Sequence, residues 1–264
     1  MNTMTRTVLY LFSIALYVLG ILLISQQDWL ASVWIWPDAP WFSDVFMTSV
    51  IFAAATAYSV CATNGKLRPL YAISISSIVT ITGITFYYYM FSASPNPETQ
   101  MIRGWGVFLL MSLFINIWFF IVSYNADFES KEPFPTSLKW FLSFVMLINL
   151  QKSFLLIAGI KSFAWEISLS MAVVYGWTLF GGLIFVILVL LEPYWENVWP
   201  LFVALIAYDL VLIGPIIFSI IFQDVVPITS PRRLYSYGIA VIITFLMVVY
   251  YSMKKGRQRK LNKG

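Results

Sequence analysis

Two charged residues stand inside long apolar runs. Asp209 lies in Ala207-Tyr208-Asp209-Leu210, and Lys152 lies in Asn149-Leu150-Gln151-Lys152-Ser153. Charge at a bilayer centre costs roughly 2.5–3.5 kcal/mol on insertion scales, so such groups need a partner, a cavity or neutralisation. An acid at that depth can carry a proton or hold a cation, and a lysine opposite it can act as counter-ion. The opposed influences of desolvation and a counter-ion poise a carboxylate for proton exchange. Pro215 follows Gly214, six residues beyond Asp209. Proline removes the helix bond to the Val211 carbonyl, so a broken helix beside the acid is expected. Two plainer readings stand beside this one. The pair can be a buried salt bridge that fixes how two halves dock. Alternatively, Lys152 snorkels outward while Asp209 stays protonated.

Other polar residues recur at helical spacing. Ser112 and Asn116 share a face at i,i+4, as do Ser76 and Thr80, and Asn149, Lys152 and Ser153 fall together. Such stripes are read first as interhelical hydrogen bonds, and as supporting polar groups for Asp209 and Lys152 in the functional reading. Ala53, Ala57, Gly176, Gly181 and Gly182 are read as points of close helix approach.

Much chemistry is excluded. The chain has no histidine and one cysteine, Cys61. It therefore offers no imidazole base, no intrachain disulfide, no Cys-rich metal site and no haem held by histidine. Dinucleotide, P-loop, nucleophile-elbow and zincin motifs are absent. The run Asp127-Phe128-Glu129-Ser130-Lys131-Glu132 lacks the glycine and distal glutamate of a calcium loop and reads as a solvated loop. Asp28, Asp38 and Asp44 are too scattered to suggest a dyad. No catalytic residue, metal or cofactor is expected, and the chain is read as non-enzymatic.

The elements that must position these residues follow from composition. The chain of 264 residues is 60% hydrophobic and 11% charged, with a mean hydropathy of +0.83. That balance excludes a soluble globule and a disordered chain. Eight segments are long and apolar enough to span a bilayer: Thr7–Ser25, Val45–Ala62, Leu70–Phe91, Trp105–Ser123, Leu138–Ile160, Met171–Leu191, Trp199–Phe222 and Leu234–Ser252. A β-barrel would show alternation in short pieces, which these runs lack. A seven-span variant with one re-entrant helix is the competing topology. On these bounds Asp209 lies about 15 Å and Lys152 about 21 Å from the inner side, a gap a lysine stem can bridge if the helices touch.

With the N-terminus inside, inner loops hold Arg6, Lys66, Arg68, Lys131, Lys139 and six tail charges, eleven in all. Outer loops hold four: Arg103, Lys161, Arg232 and Arg233. The excess of inner charge, which the tail carries, places both termini in the cytoplasm, and the membrane is expected to be a bacterial inner membrane. The basic tail is read as membrane anchoring, with no nucleic-acid partner. Trp29, Trp34, Trp36 and Trp41 gather between the first two spans, where an interfacial segment is expected.

A shift of about 130 residues lays the second, third and fourth spans on the sixth, seventh and eighth. Pro69-Leu70-Tyr71 then falls near Pro200-Leu201-Phe202, and Trp36 falls opposite Trp165. Two parallel four-helix repeats are therefore expected, 1–128 and 129–264, meeting along a central seam. The stretch Trp36-Pro37-Asp38-Ala39-Pro40-Trp41, followed by Phe42 and Ala53-Ala54-Ala55, resembles a W-P-x-x-x-P-L-like stretch of uncharacterised bacterial multi-pass membrane proteins. Here one residue fewer separates the prolines, and Trp41 replaces the leucine. That resemblance implies a membrane fold and carries no activity. The expectation is an all-α, polytopic bundle of about eight helices. It acts as an accessory or scaffold protein through helix contacts, with the bilayer and a membrane-protein partner or second copy around it. The alternative is a small transporter or channel with a proton- or cation-linked site at Asp209 and Lys152.

Overall fold

The computed structural model describes residues 1–25, 39–91, 97–160, 162–222 and 228–261, with side chains described for 1–25, 39–90, 105–160, 162–222 and 228–256. It is all-helical. The elements are α1 (Thr3–Ser25), α2 (Trp41–Asn64), α3 (Arg68–Phe91), α4 (Pro97–Tyr124), α5 (Thr136–Ile157), α6 (Leu169–Leu191), α7 (Trp195–Ile221) and α8 (Pro231–Leu261). All eight are long and apolar enough to cross a bilayer, so the chain is a multi-pass integral membrane protein. Only isolated bridges, Pro133 with Tyr194 and Trp165 with Ile228, occur outside helices among the described residues.

Helix is the form these runs must take, because a chain in lipid satisfies its backbone groups within itself. Their ends are set by local chemistry. Prolines open α4 and α8 and sit second in α3, where the missing N–H costs nothing. The Ser168 hydroxyl accepts from the Met171 N–H at 3.2 Å and caps α6. Gly65 closes α2 in the left-handed region, φ 69°, with its N–H bonded to the Cys61 carbonyl. One expectation fails here: α7 runs as continuous helix through Pro215. One missing bond at position 215 is not enough to unwind a helix flanked by apolar packing.

The helices form an inner four and an outer four. Inside, α2 packs on α7 and α3 on α6. Outside, α1 leans on α2, α4 on α3, α5 on α6 and α8 on α7. Exchanging α1–α4 for α5–α8 leaves these pairings unchanged. α2 and α6 are the most enclosed helices and α5 the least.

Close approach is concentrated where α3 meets α6. A Cβ on Gly83 would overlap the Trp177 indole, and one on Gly181 would overlap the Thr80 hydroxyl. The Ser76 hydroxyl donates to the Gly181 carbonyl at 2.7 Å, and the Thr80 hydroxyl to the Trp177 carbonyl at 3.4 Å. The Ser76–Thr80 stripe thus binds helix to helix. Gly176 meets the Ser153 carbonyl and Ile157 in the same manner, joining α5 to α6. Gly182 has nothing within 4 Å of its would-be Cβ, so it is no approach point despite its neighbour. One helical step, 100°, turns it away from the seam.

Gly181→Val should lower stability in detergent by about 1–3 kcal/mol through overpacking. Gly182→Ala should leave the thermal unfolding midpoint unchanged. A midpoint shift of equal size for both would contradict this account of the α3–α6 contact.

Candidate functional site

Asp209 lies on the face of α7 that also carries Leu212, Ile216 and Ser219, and it is 1% exposed. Its Oδ2 has no hydrogen-bond partner among the described residues. Beside it, the Tyr208 and Tyr237 hydroxyls share a hydrogen bond of 2.7 Å between α7 and α8. The Phe46 ring from α2 meets Tyr208 at 6.2 Å and Tyr175 at 4.4 Å. Phe163 and Trp165, from the segment between α5 and α6, stack at 4.6 Å on this same group. The Trp165 indole N–H donates to the Ser43 hydroxyl at 3.1 Å, and the Tyr175 hydroxyl donates to the Ser43 carbonyl at 3.1 Å. Asp44, in the first turn of α2, is also buried here. A first-turn acid is favoured by the helix dipole. Asp209 is thus buried on the face that carries Leu212 and Ile216, near the Tyr208 and Tyr237 pair at the edge of this aromatic group.

Lys152 does not join it. No salt bridge links the two among the described residues, and α5 and α7 share no packed face. The reason is architectural: α5 is an outer helix on α6, while α7 is an inner helix between α2 and α8. Similar depth does not bring two residues together when a helix stands between them. Arg233, at the start of α8, is a like charge near Lys152. The docking salt bridge expected of this pair is thus absent.

The supporting residues divide likewise. Asn116 is buried, its Nδ2 donates to the Ser112 carbonyl at 2.8 Å, and its Oδ1 accepts from the Tyr58 hydroxyl. Tyr58 also meets the Ser77 hydroxyl at 2.7 Å, so α2, α3 and α4 are joined by one buried network. Ser112 and Asn116 thereby bond within this network, on a helix that packs on α3 rather than on the α7 of Asp209. Asn149 lies on α5, where its backbone carbonyl accepts from the Ser153 hydroxyl at 2.6 Å and its side chain bonds to no described residue. Trp41 opens α2 and meets Phe218 of α7 at 6.4 Å. Trp34, Trp36 and the other residues of 26–38 lie outside the described residues.

The salt bridges that do tie the halves lie at the other end, which carries both termini. Lys66, between α2 and α3, meets Glu196 of α7 at 2.8 Å and Glu129 at 3.2 Å. Arg68 meets Glu192 at 2.5 Å, donates to the Tyr124 carbonyl at 3.0 Å and lies over the Tyr71 ring. Lys255 of α8 pairs with Glu132 and lies over Trp195. Glu196 also accepts from the Ser130 N–H at 2.9 Å. The run 127–132 is a solvated loop, exposed at every position but Phe128, and its Glu129 and Glu132 also pair with Lys66 and Lys255. The available signal was the placement of Lys66, Arg68, Glu192 and Glu196 at helix ends of one side. A shallow cavity of about 260 Å³ opens here, lined by Arg68, Tyr124, Asp127, Phe128, Lys131 and Glu192 among others. Its charges are of both signs. Among the described residues no group of three or more metal-capable side chains gathers.

No family model, curated protein or solved structure matches the chain.

Burial works against the charged form of Lys66, but its bonds to Glu196 and Glu129 outweigh that and raise its pKa above the ordinary lysine value. A group with a raised folded-state value stabilises fully below its unfolded value, about 10.4, and loses that stabilisation as pH rises through the folded one. On the basic side the lysine should therefore keep its charge throughout the neutral range and lose it only in strong alkali. Glu196→Gln should cost about 2 kcal/mol at neutral pH, since it breaks a buried charge-assisted pair. Hydrogen exchange in segment 125–135 should rise in this variant and stay unchanged in Asp209→Asn.

Proposed function

We propose that this chain is a non-enzymatic accessory or scaffold protein that acts through the surfaces of its helices. The observation that carries this reading is the closed seam between the halves. There Gly83 and Gly181 lie against Trp177 and Thr80, and Ser76 bonds across to the Gly181 carbonyl. A seam closed at backbone level is a rigid joint, which suits a platform better than a path. Two further features support two repeats, 1–128 and 129–264. The helix pairings survive exchange of the halves. Lys66 and Glu196, which meet, are separated by 130 positions, as counterparts on a twofold axis would be. The host is read as the bacterial cytoplasmic membrane, and the loop charges already counted support both termini lying inside.

A second reading rests on one specific observation, the buried Oδ2 of Asp209 without a partner. A carboxylate in that state beside Tyr208 and Tyr237 is material for a proton- or cation-linked transporter. Lys152 would then act separately from Asp209.

Native mass spectrometry of protein released gently from its own membrane decides between them. The accessory reading expects one membrane protein to be co-released at fixed stoichiometry. It also expects proteoliposomes under an imposed proton gradient to leak no faster than empty vesicles. Proton flux that disappears in Asp209→Asn, from a chain released alone, would overturn it in favour of transport.

A further inference from the structure

The buried amides of the bundle have partners within the chain. Asn116 Nδ2 donates to Ser112, and Asn197 Nδ2 donates to the Glu192 carbonyl at 3.1 Å. Three polar side chains of α5 break this pattern. Gln151 is exposed, and Asn149 and Lys152 are half-buried. None of the three side chains makes a hydrogen bond or salt bridge among the described residues. α5 is also the least enclosed of the eight helices and packs chiefly on α6 alone. Around Gln151 its open surface is apolar, with Phe144, Leu147, Ile148 and Phe154 exposed.

Position in the membrane sharpens the problem. Asn149 and Gln151 are eight and six residues before the end of α5 at Ile157, about 12 Å and 9 Å along the helix axis. Their short side chains cannot reach water from there. An amide facing hydrocarbon without a partner is strongly unfavourable; the longer Lys152 side chain, five residues before Ile157, carries its ammonium toward the interface. Serine and threonine at such places bond to their own helix, as Thr244 does to Ala240 at 2.9 Å, but the α5 trio makes no such bond.

We propose that this face of α5 is the docking surface for a transmembrane helix of a partner protein that presents a carboxylate to Lys152 and a polar side chain to Asn149 and Gln151. This rests on the accessory reading and names its contact surface. Charge complementarity selects the occupant. A second copy docked face to face would set Lys152 near Lys152, and a lipid phosphate would satisfy Lys152 while leaving both amides unbonded.

The test uses the full chain in neutral phosphatidylcholine vesicles. The probe is a synthetic apolar helix of about 20 residues with one Asp placed a third of the way from its outer end. An all-Leu version serves as control, and binding is read by energy transfer. The Asp peptide should bind about tenfold tighter than the control, the scale of one interhelical polar contact in a membrane. Lys152→Met should remove that advantage, and Gln151→Leu should reduce it. Lys152→Glu should transfer the preference to a Lys-bearing peptide. Equal binding of the Asp and Leu peptides to the unaltered chain overturns the proposal without any variant needing to fold. So does loss of the advantage in vesicles enriched in phosphatidylglycerol, which would assign Lys152 to lipid phosphate. Disulfide dimers of Cys61→Ala/Ile148→Cys in the absence of peptide would assign the face to a second copy, and also overturn it. Because the probe replaces the natural partner, a lone chain in native mass spectrometry would leave this result standing, and equal peptide binding would leave co-release standing.

Discussion

The approach of α3 to α6 is the contact on which the bundle depends. Two glycines, Gly83 and Gly181, remove the side chains that would hold these helices apart, and Trp177 and Thr80 occupy the space. Hydrophobic burial drives little association inside a bilayer, because lipid is as apolar as leucine. Close van der Waals packing and hydrogen bonds to carbonyls such as that of Gly181 must do that work instead. With α3 and α6 joined, α2 and α7 fall together across the other side, and the remaining four helices each find one inner helix to lean on.

The two ends of the bundle solve different problems. At the end bearing the termini, water competes for every charge, so exposed pairs alone would contribute little. The Lys66–Glu196 contact escapes this because the glutamate side chain is only 3% exposed and is also bonded to backbone N–H. At the opposite end no described ion pair forms. There the segment between α5 and α6 is held by ring packing, with Trp165 inserted against Phe42 at 4.4 Å and bonded to Ser43. One end is fastened by charge and the other by aromatic shape.

Much of this was legible from residue order. Continuous apolar runs of bilayer length mark every helix, because lipid permits few alternatives. The helix starts were less legible: α4 and α8 begin at Pro97 and Pro231, ahead of the expected Trp105 and Leu234. What the sequence could not supply was lateral order. Asp209 and Lys152 stood out correctly as costly groups, but depth along an axis says nothing of which helices are neighbours. The same gap hid the clamp: Lys66 and Glu196 looked like ordinary loop-end charges until two distant helix ends were set side by side. Gly181 and Gly182 show the limit at its smallest. They are adjacent and identical, yet one faces the seam and the other does not.

The clamp also has a polarity. In the contacts that cross between 1–128 and 129–264, the first part contributes Lys66 and Arg68, and the second contributes Glu129, Glu192 and Glu196. All the cations of this clamp thus come from one side of position 128 and all its acids from the other, so the contact is directional: a charge reversed on one side can be answered only by a reversal on the other.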